Sequence, residues 1–371
     1  MRTSATAMLG IDVPIFAFSH CRDVVVEVSK AGGMGVLGAA GFDPQHLEEE
    51  LQWIDAHVGD KPYGVDVLIP STYAKVGTGE LNLDEVLPAE QRSFVTRLCD
   101  QAGLPPLPQN EAHSLLQKEA RQLNMTPEQA RELLDVAVRH RGVRLIVNAL
   151  GTPPREEVAR LKALGFKVGS LIGKADHVKS QLDAGVDLLV AQGTEAGGHT
   201  GVITSMVLWP QVIDLAGSIP VLAAGGIGRG KQMAAALAMG AAGVWCGSIW
   251  LGTRQSELDP LVRQRFYEAK SEDAVQTRAL TGKPCRTLRS KFLEAWDAED
   301  APPTLMLPLQ TLVGLEARLR AQRAKAKDWL SYPVGQIVGD MKAETSVREV
   351  VQGMLEEFLE SVERLNALTA Q

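Results

Sequence analysis

The segment Gln192-Gly193-Thr194-Glu195-Ala196-Gly197-Gly198-His199-Thr200-Gly201 concentrates the residues best able to do chemistry in this chain. Four glycines in ten residues call for unusual backbone angles, or for close approach of the main chain to another molecule. His199 is the side chain suited to moving a proton near neutral pH. A histidine held only for structure sits more naturally on a helix face or in a core than in a glycine loop, so His199 is the candidate catalytic residue. Gln192 opens the segment with an amide that both donates and accepts. It suits the edge of a ligand ring or a polyol chain, and it suits an ordinary loop hydrogen bond equally well.

Two further motifs lie downstream, Ala223-Ala224-Gly225-Gly226-Ile227-Gly228 and Cys246-Gly247-Ser248. Backbone N–H groups freed by glycine, close to a helix N-terminus, hold a phosphate without a cationic side chain. Ser248 adds a hydroxyl donor. Alone, Gly-Gly-x-Gly also marks simple tight turns; two such motifs after consecutive strands point to a phosphorylated ligand. His20 follows an early apolar run. It is either a second polar group facing the ligand, hence a candidate substrate contact, or a cap for the helix starting near Arg22. His46, His57, His113, His140 and His177 lie in helical or polar contexts and are expected at the surface. Cys21, Cys99, Cys246 and Cys285 form no Cys-x-x-Cys pair and have no histidine at ligand spacing, so neither a metal site nor a disulfide framework is expected.

These motifs need a scaffold, and the apolar pattern supplies one. Short, nearly continuous apolar runs recur at Pro14–Phe18, Gly35–Ala40, Tyr63–Ile69, Val143–Ala149, Phe166–Leu171, Val186–Ala191, Ile219–Ala224 and Gly243–Cys246. Unbroken Val/Ile/Leu/Ala is what strands covered on both faces require. Helical patterns separate most of them, at Val24–Ala31, Gln45–His57, Pro154–Leu164, Ala175–Ala184 and Lys231–Met239. Eight strands alternating with helices predict an α/β fold, a (β/α)8 TIM barrel. An open doubly wound sheet is the alternative, but its glycine fingerprint belongs after the first strand, where this chain has none. The glycine loops follow the sixth, seventh and eighth runs, on the barrel face where active sites are built.

The barrel is expected over 10–255, interrupted after the third strand by a helical insertion at 70–142 with patterns near Leu83–Gln101 and Pro127–Arg141. Residues 256–371 read as a helical C-terminal extension packing on the barrel or forming a lid.

At these motifs the sequence resembles the nitronate monooxygenase family, formerly called 2-nitropropane dioxygenases. The likeness spans roughly 10–70 and 143–255, and rests on Ala31-Gly32-Gly33-Met34-Gly35, Gln192 through Gly201, Ala223–Ile227 and Gly247-Ser248. The resemblance implies a barrel that binds FMN non-covalently and places His199 as the base. It matches Gln192 and Gly197 to flavin-contacting positions. Gly225, Gly226, Trp245, Cys246, Gly247 and Ser248 fall in the phosphate-binding motifs, and Ala17 and Phe18 where the loop after strand one meets the flavin. Two positions depart from the family pattern. Phe18-Ser19-His20 replaces a Gly/Pro-Met element, and Asp66 stands where the family usually has Asn. An ionised Asp66 accepts but cannot donate, and it would disfavour an anionic reduced ring.

Two redox functions follow from the resemblance. One is oxidation of an alkyl nitronate or similar carbanion by FMN and O2. The other is reduction of a quinone or an α,β-unsaturated carbonyl compound, CoA thioesters included, with NAD(P)H as co-substrate. A non-redox phosphate-ligand barrel is the reading from outside this class.

Across 371 residues, 45% are hydrophobic and 22% charged, with a net charge of −7. No basic run or stripe is present, so nucleic acid is not an expected partner. Met1–Gly10 lacks an apolar signal-peptide core, and no apolar run is long enough to span a bilayer. A cytoplasmic enzyme acting on a small molecule is expected, with homo-oligomerisation left open.

Overall fold

A computed structural model describes residues 1–69, 83–108, 114–115 and 127–369. Eight parallel strands close into a barrel: β1 (Ile15–Ser19), β2 (Met34–Gly38), β3 (Tyr63–Asp66), β4 (Val143–Asn148), β5 (Lys167–Ile172), β6 (Leu188–Gln192), β8 (Val221–Ala224) and β9 (Gly243–Cys246). The remaining early strand, β7 (Gly198–His199), lies outside it. Closure is direct, with Ile15 opposite Val244 and Phe16 opposite Trp245. All eight apolar runs of the sequence are barrel strands, their ends moved by a few residues.

Strand alternation sorts the side chains into two apolar layers. Phe16, Met34, Val36, Leu145, Val147, Leu188, Val190, Leu222 and Trp245 fill the barrel interior. Ile15, Ala17, Val65, Ile146, Val168, Leu189, Ala191, Val244 and Cys246 face the surrounding helices. The short helix Ser4–Leu9 sends Ala5 and Leu9 into the interior cluster, and Thr3 Oγ1 donates to Ala242 O at 2.6 Å. These contacts plug the end of the barrel where the strands begin.

Several helices start where local chemistry directs. Asp43 accepts the His46 N–H ahead of Pro44, so Pro44–His57 begins on a side-chain cap with proline in its first turn. Gly185, at φ 88°, ends Val178–Ala184 in the left-handed region. Within the insertion, Leu83–Gln101 is two helices, Leu83–Val86 and Ala89–Gln101, divided before Pro88 because proline disfavours helix at the preceding residue. Pro127–Arg141 stops at Ala137.

Three features were not anticipated. Ser205–Ala216 is a helix despite Pro210 inside it. The C-terminal extension is not purely helical: β10 (Ala274–Thr277) and β11 (Cys285–Leu288) form an antiparallel hairpin, and β7 joins it in the order β10-β11-β7. His140 is buried rather than at the surface: it bonds Asp55 Oδ2 at 2.7 Å, and Asp55 Oδ1 accepts from Tyr63 Oη at 2.7 Å. His113 lies outside the described residues.

The insertion and the extension share a second core. Leu87, Phe94, Val95, Cys99 and Leu104 pack with Phe266, Trp296, Leu312, Val313, Val334 and Val338. The last helix, Val347–Thr369, returns to the barrel wall and places Val347, Val351 and Met354 in the main core.

Candidate active site

The side chains at the C-terminal end of the barrel are set by the same alternation. Phe18, Gly38, Asp66, Gln192 and Trp245 follow interior-facing residues two positions earlier, so they point inward at the mouth. Phe18 packs with the interior cluster and stacks on Trp245 at 6.2 Å. Ala17 and Cys246 point the other way, into the layer beneath the helices. Of the positions singled out on these strands, those two can offer a ligand only main-chain atoms. Burial pushes the Cys246 thiol up to about 12, so it is protonated and inert.

Asp66 is 3% exposed, and its Oδ2 has no hydrogen-bond partner. Burial pushes its carboxyl up to about 8, because an unpaired charge is disfavoured away from water. At neutral pH the residue is therefore mostly the acid, which donates. The ionised form considered from sequence is the minor one. Gln192 makes no side-chain hydrogen bond to any described residue, so its amide is also available at the mouth. His20 Nδ1 bonds Gly38 O at 2.8 Å, and its ring meets Phe18 edge-on at 5.1 Å. It does not cap the helix at Arg22: that helix has no side-chain cap. The ring is accessible yet densely surrounded, as on a concave rim, and desolvation lowers its pKa against the raising effect of the Gly38 bond.

His199 is held by contacts within its loop and from the segments that follow it. Thr194 N–H donates to Ile203 O at 2.8 Å and closes the loop at its base. The Glu195 carboxylate accepts both Ser205 N–H (3.0 Å) and Ser205 Oγ–H (2.8 Å), which caps the helix Ser205–Ala216 from a distance. Arg286 Nε, on β11, donates to Thr194 O at 2.7 Å. His199 itself pairs with Cys285 across β7 and β11, and its Nε2 lies 2.9 Å from Thr281 Oγ1. Desolvation, then the nearby Lys283 charge, lowers its pKa. That direction favours the neutral imidazole, which can accept a proton.

The glycines of the loops serve different ends. Gly225 (φ 109°) and Gly226 (φ 68°) occupy the left-handed region. A Cβ on Gly225 would stand 2.6 Å from Ser205 Oγ. One on Gly197 would stand 2.8 Å from Gly335 N, so the extension presses on that position. One on Gly247 would meet nothing nearer than Phe18 at 3.9 Å, which leaves open space in front of it. Gln232 clamps the Gly226–Arg229 turn, donating to Gly226 O at 2.7 Å and accepting from Gly228 N. Ser248 Oγ accepts Gly335 N–H at 2.8 Å, which leaves its own hydrogen free to donate. Arg229 is drawn away from the turn by Glu357 and Asp340. Backbone N–H groups of these loops and the Ser248 hydroxyl could hold an anion on the barrel face that also carries His199.

The nitronate monooxygenase family model matches residues 6–357. This chain belongs to the nitronate monooxygenase family. A Mycobacterium tuberculosis protein provisionally named as a monooxygenase is 46% identical, over 99% of each chain. Among solved structures, a nitroalkane oxidase from Streptomyces ansochromogenes has a TM-score of 0.78 at 24% identity, covering 97% of this chain and 99% of that one. FabK from Thermotoga maritima has a TM-score of 0.73 at 25% identity, covering 99% of both. The family is one of flavin oxidoreductases, and this chain is an oxidoreductase. The site fits such a cofactor. The orphaned Asp66 oxygen and the unengaged Gln192 amide suit a ring with polar edges, and the loop donors suit a phosphate. No described helix is long and apolar enough to cross a membrane.

Sequence reasoning brought Phe18, Asp66, Gln192, Gly226, Gly247 and Ser248 to one face of the barrel. It missed Thr281, Arg286, Gln232 and Gly335. Only Gly282 and Pro284 hinted at a turn between two short strands there.

Proposed function

We propose that this chain binds FMN and oxidises an alkyl nitronate, or a related stabilised carbanion, with O2. The observation that carries the reading is the placement of His199 on the same barrel face as the glycine loops at Gly226 and Gly247, with Arg229 turned away from them. In this reading, Gly226, Gly247 and Ser248 hold the FMN phosphate, while Gln192 and the protonated Asp66 bond the ring and its side chain. When bound, FMN would supply the redox chemistry that links the organic substrate to O2. His199 handles the proton. From a neutral nitroalkane it accepts the α-hydrogen, the C–H pair moving onto the nitro group. With a preformed nitronate, the ring orients the substrate anion.

The likeness to FabK from Thermotoga maritima favours a second reading, NAD(P)H-dependent reduction of a quinone or an α,β-unsaturated thioester. Here His199 would polarise or protonate the substrate carbonyl. Anaerobic mixing of purified holoenzyme separates the two. Bleaching of the flavin's visible absorbance by a nitronate, with none from NADH or NADPH, is the expected result. Rapid bleaching by either nicotinamide, and none by nitronates, would replace the first reading with the second.

A further inference from the structure

We propose that Thr281 is a positioning residue that fixes which ring nitrogen of His199 carries the proton, leaving Nδ1 as the basic atom. The proposal rests on the reading of His199 as the proton-handling group and adds the atom through which it acts.

Thr281 Oγ1 lies 2.9 Å from His199 Nε2. A threonine hydroxyl has one hydrogen, and Lys283 O, 3.2 Å from Oγ1, is a carbonyl that can only accept it. Lys283 N–H in turn donates to Thr281 Oγ1 at 3.4 Å. With its hydrogen committed to Lys283 O, the hydroxyl meets His199 as an acceptor. Nε2 is then the N–H, and in a neutral imidazole Nδ1 keeps the lone pair.

The turn that carries Thr281 is itself fixed. Gly282 N–H donates to Arg278 O at 2.7 Å, Gly282 takes φ 81°, and Arg278 Nη1 donates to Gly282 O at 3.2 Å. Pairing of His199 with Cys285 sets the backbone separation between the histidine and this turn. Gln276, on β10, adds a bond to Thr200 Oγ1 at 2.8 Å.

The charged groups around His199 favour its neutral form, in which tautomer choice matters. Lys283, with no ion pair to a described residue, and Arg278 are on the turn. Arg286 on β11 holds Thr194, and Glu195 in the loop is engaged by Ser205. His199 lies at the surface yet is closely surrounded, and desolvation followed by the Lys283 charge lowers its pKa.

The test is nitrogen-15 NMR of the full-length holoenzyme labelled at histidine, with His199 assigned by loss of its signals in His199→Gln. Wild type should show the Nε2–H pattern. Thr281→Val should show mixed tautomers, and Thr281→Ser should restore the wild-type pattern. In turnover, Thr281→Val should lose roughly tenfold in kcat, about the worth of one hydrogen bond, with KM within twofold and the acidic limb of the pH profile displaced. An Nδ1–H pattern in wild type, or an unchanged pattern in Thr281→Val, overturns the proposal. The wild-type spectrum decides it even where a variant fails to fold. If His199→Gln keeps full turnover, the role of His199 is wrong, whatever the tautomer.

Discussion

Asp66 illustrates how one atom can govern a pH response. Its neighbours across the sheet are Gly38 on β2 and Val147 on β4, and neither compensates a charge. An unfolded aspartate titrates near 4, while burial holds this one at about 8. Between those values the folded state keeps a proton that the unfolded chain has released. Stability therefore falls as pH rises through that window, by up to about 1.4 kcal/mol per pH unit, and levels off above it. Asp66→Asn has no such dependence. Thermal melts at pH 5, 6, 7 and 8 should show the variant gaining on wild type with each step. Parallel curves would show that Asp66 is ionised throughout. At this scale the sequence was informative about residue type and register, since strand period alone aims Asp66 and Gln192 inward. It was silent on protonation, which depends on what the rest of the chain packs around the carboxyl.

At the scale of elements, the loop 194–203 depends on partners far away in sequence. Arg286 bonds both Thr194 O and Ala274 O, so it ties the loop to the β10–β11 hairpin. Arg286→Met keeps the apolar stem and removes the donors. The expected outcome is retained flavin, kcat lowered by roughly tenfold, and hydrogen exchange between Thr194 and Ile203 accelerated by a similar factor, as local opening becomes easier. Unchanged exchange would mean that β7–β11 pairing alone holds the loop. The barrel strands were readable because continuous apolar runs have a direct cause, burial on both faces. The hairpin was not: β10 and β11 are four residues each, carry Gln276 and Arg286, and owe their order to the second core. The helix Ser205–Ala216 escaped notice for a similar reason. Its cap is Glu195, ten residues upstream, and its proline mimics a break.

The whole molecule is a barrel with a second core tied to its catalytic face. Gly335 N–H reaches Ser248, Gln336 N–H reaches Glu195 O at 2.9 Å, Arg286 reaches Thr194, and Thr281 reaches His199. Each link joins the extension to a loop that follows β6 or β9. Buried Arg320 links the two halves of the second core, bonding Leu104 O and Asp100 in the insertion. Phe94, 4% exposed, stands edge-on to Trp296 at 5.0 Å. Damage to this core should therefore be felt at the site, whereas damage at the opposite end of the barrel should not. Phe94→Ala removes a buried ring, and such changes cost about 3–5 kcal/mol. The same change should loosen flavin binding, because the segments carrying Gly335 and Thr281 pack on the core it opens. Tyr63→Phe serves as the comparison. It deletes the bond to Asp55 at the start of β3, costs about 1 kcal/mol, and should leave flavin affinity at the wild-type value. Tm and flavin Kd measured on both variants decide the matter. A Phe94→Ala protein that is destabilised but binds flavin as tightly as wild type would show that the second core stabilises the chain without shaping its site.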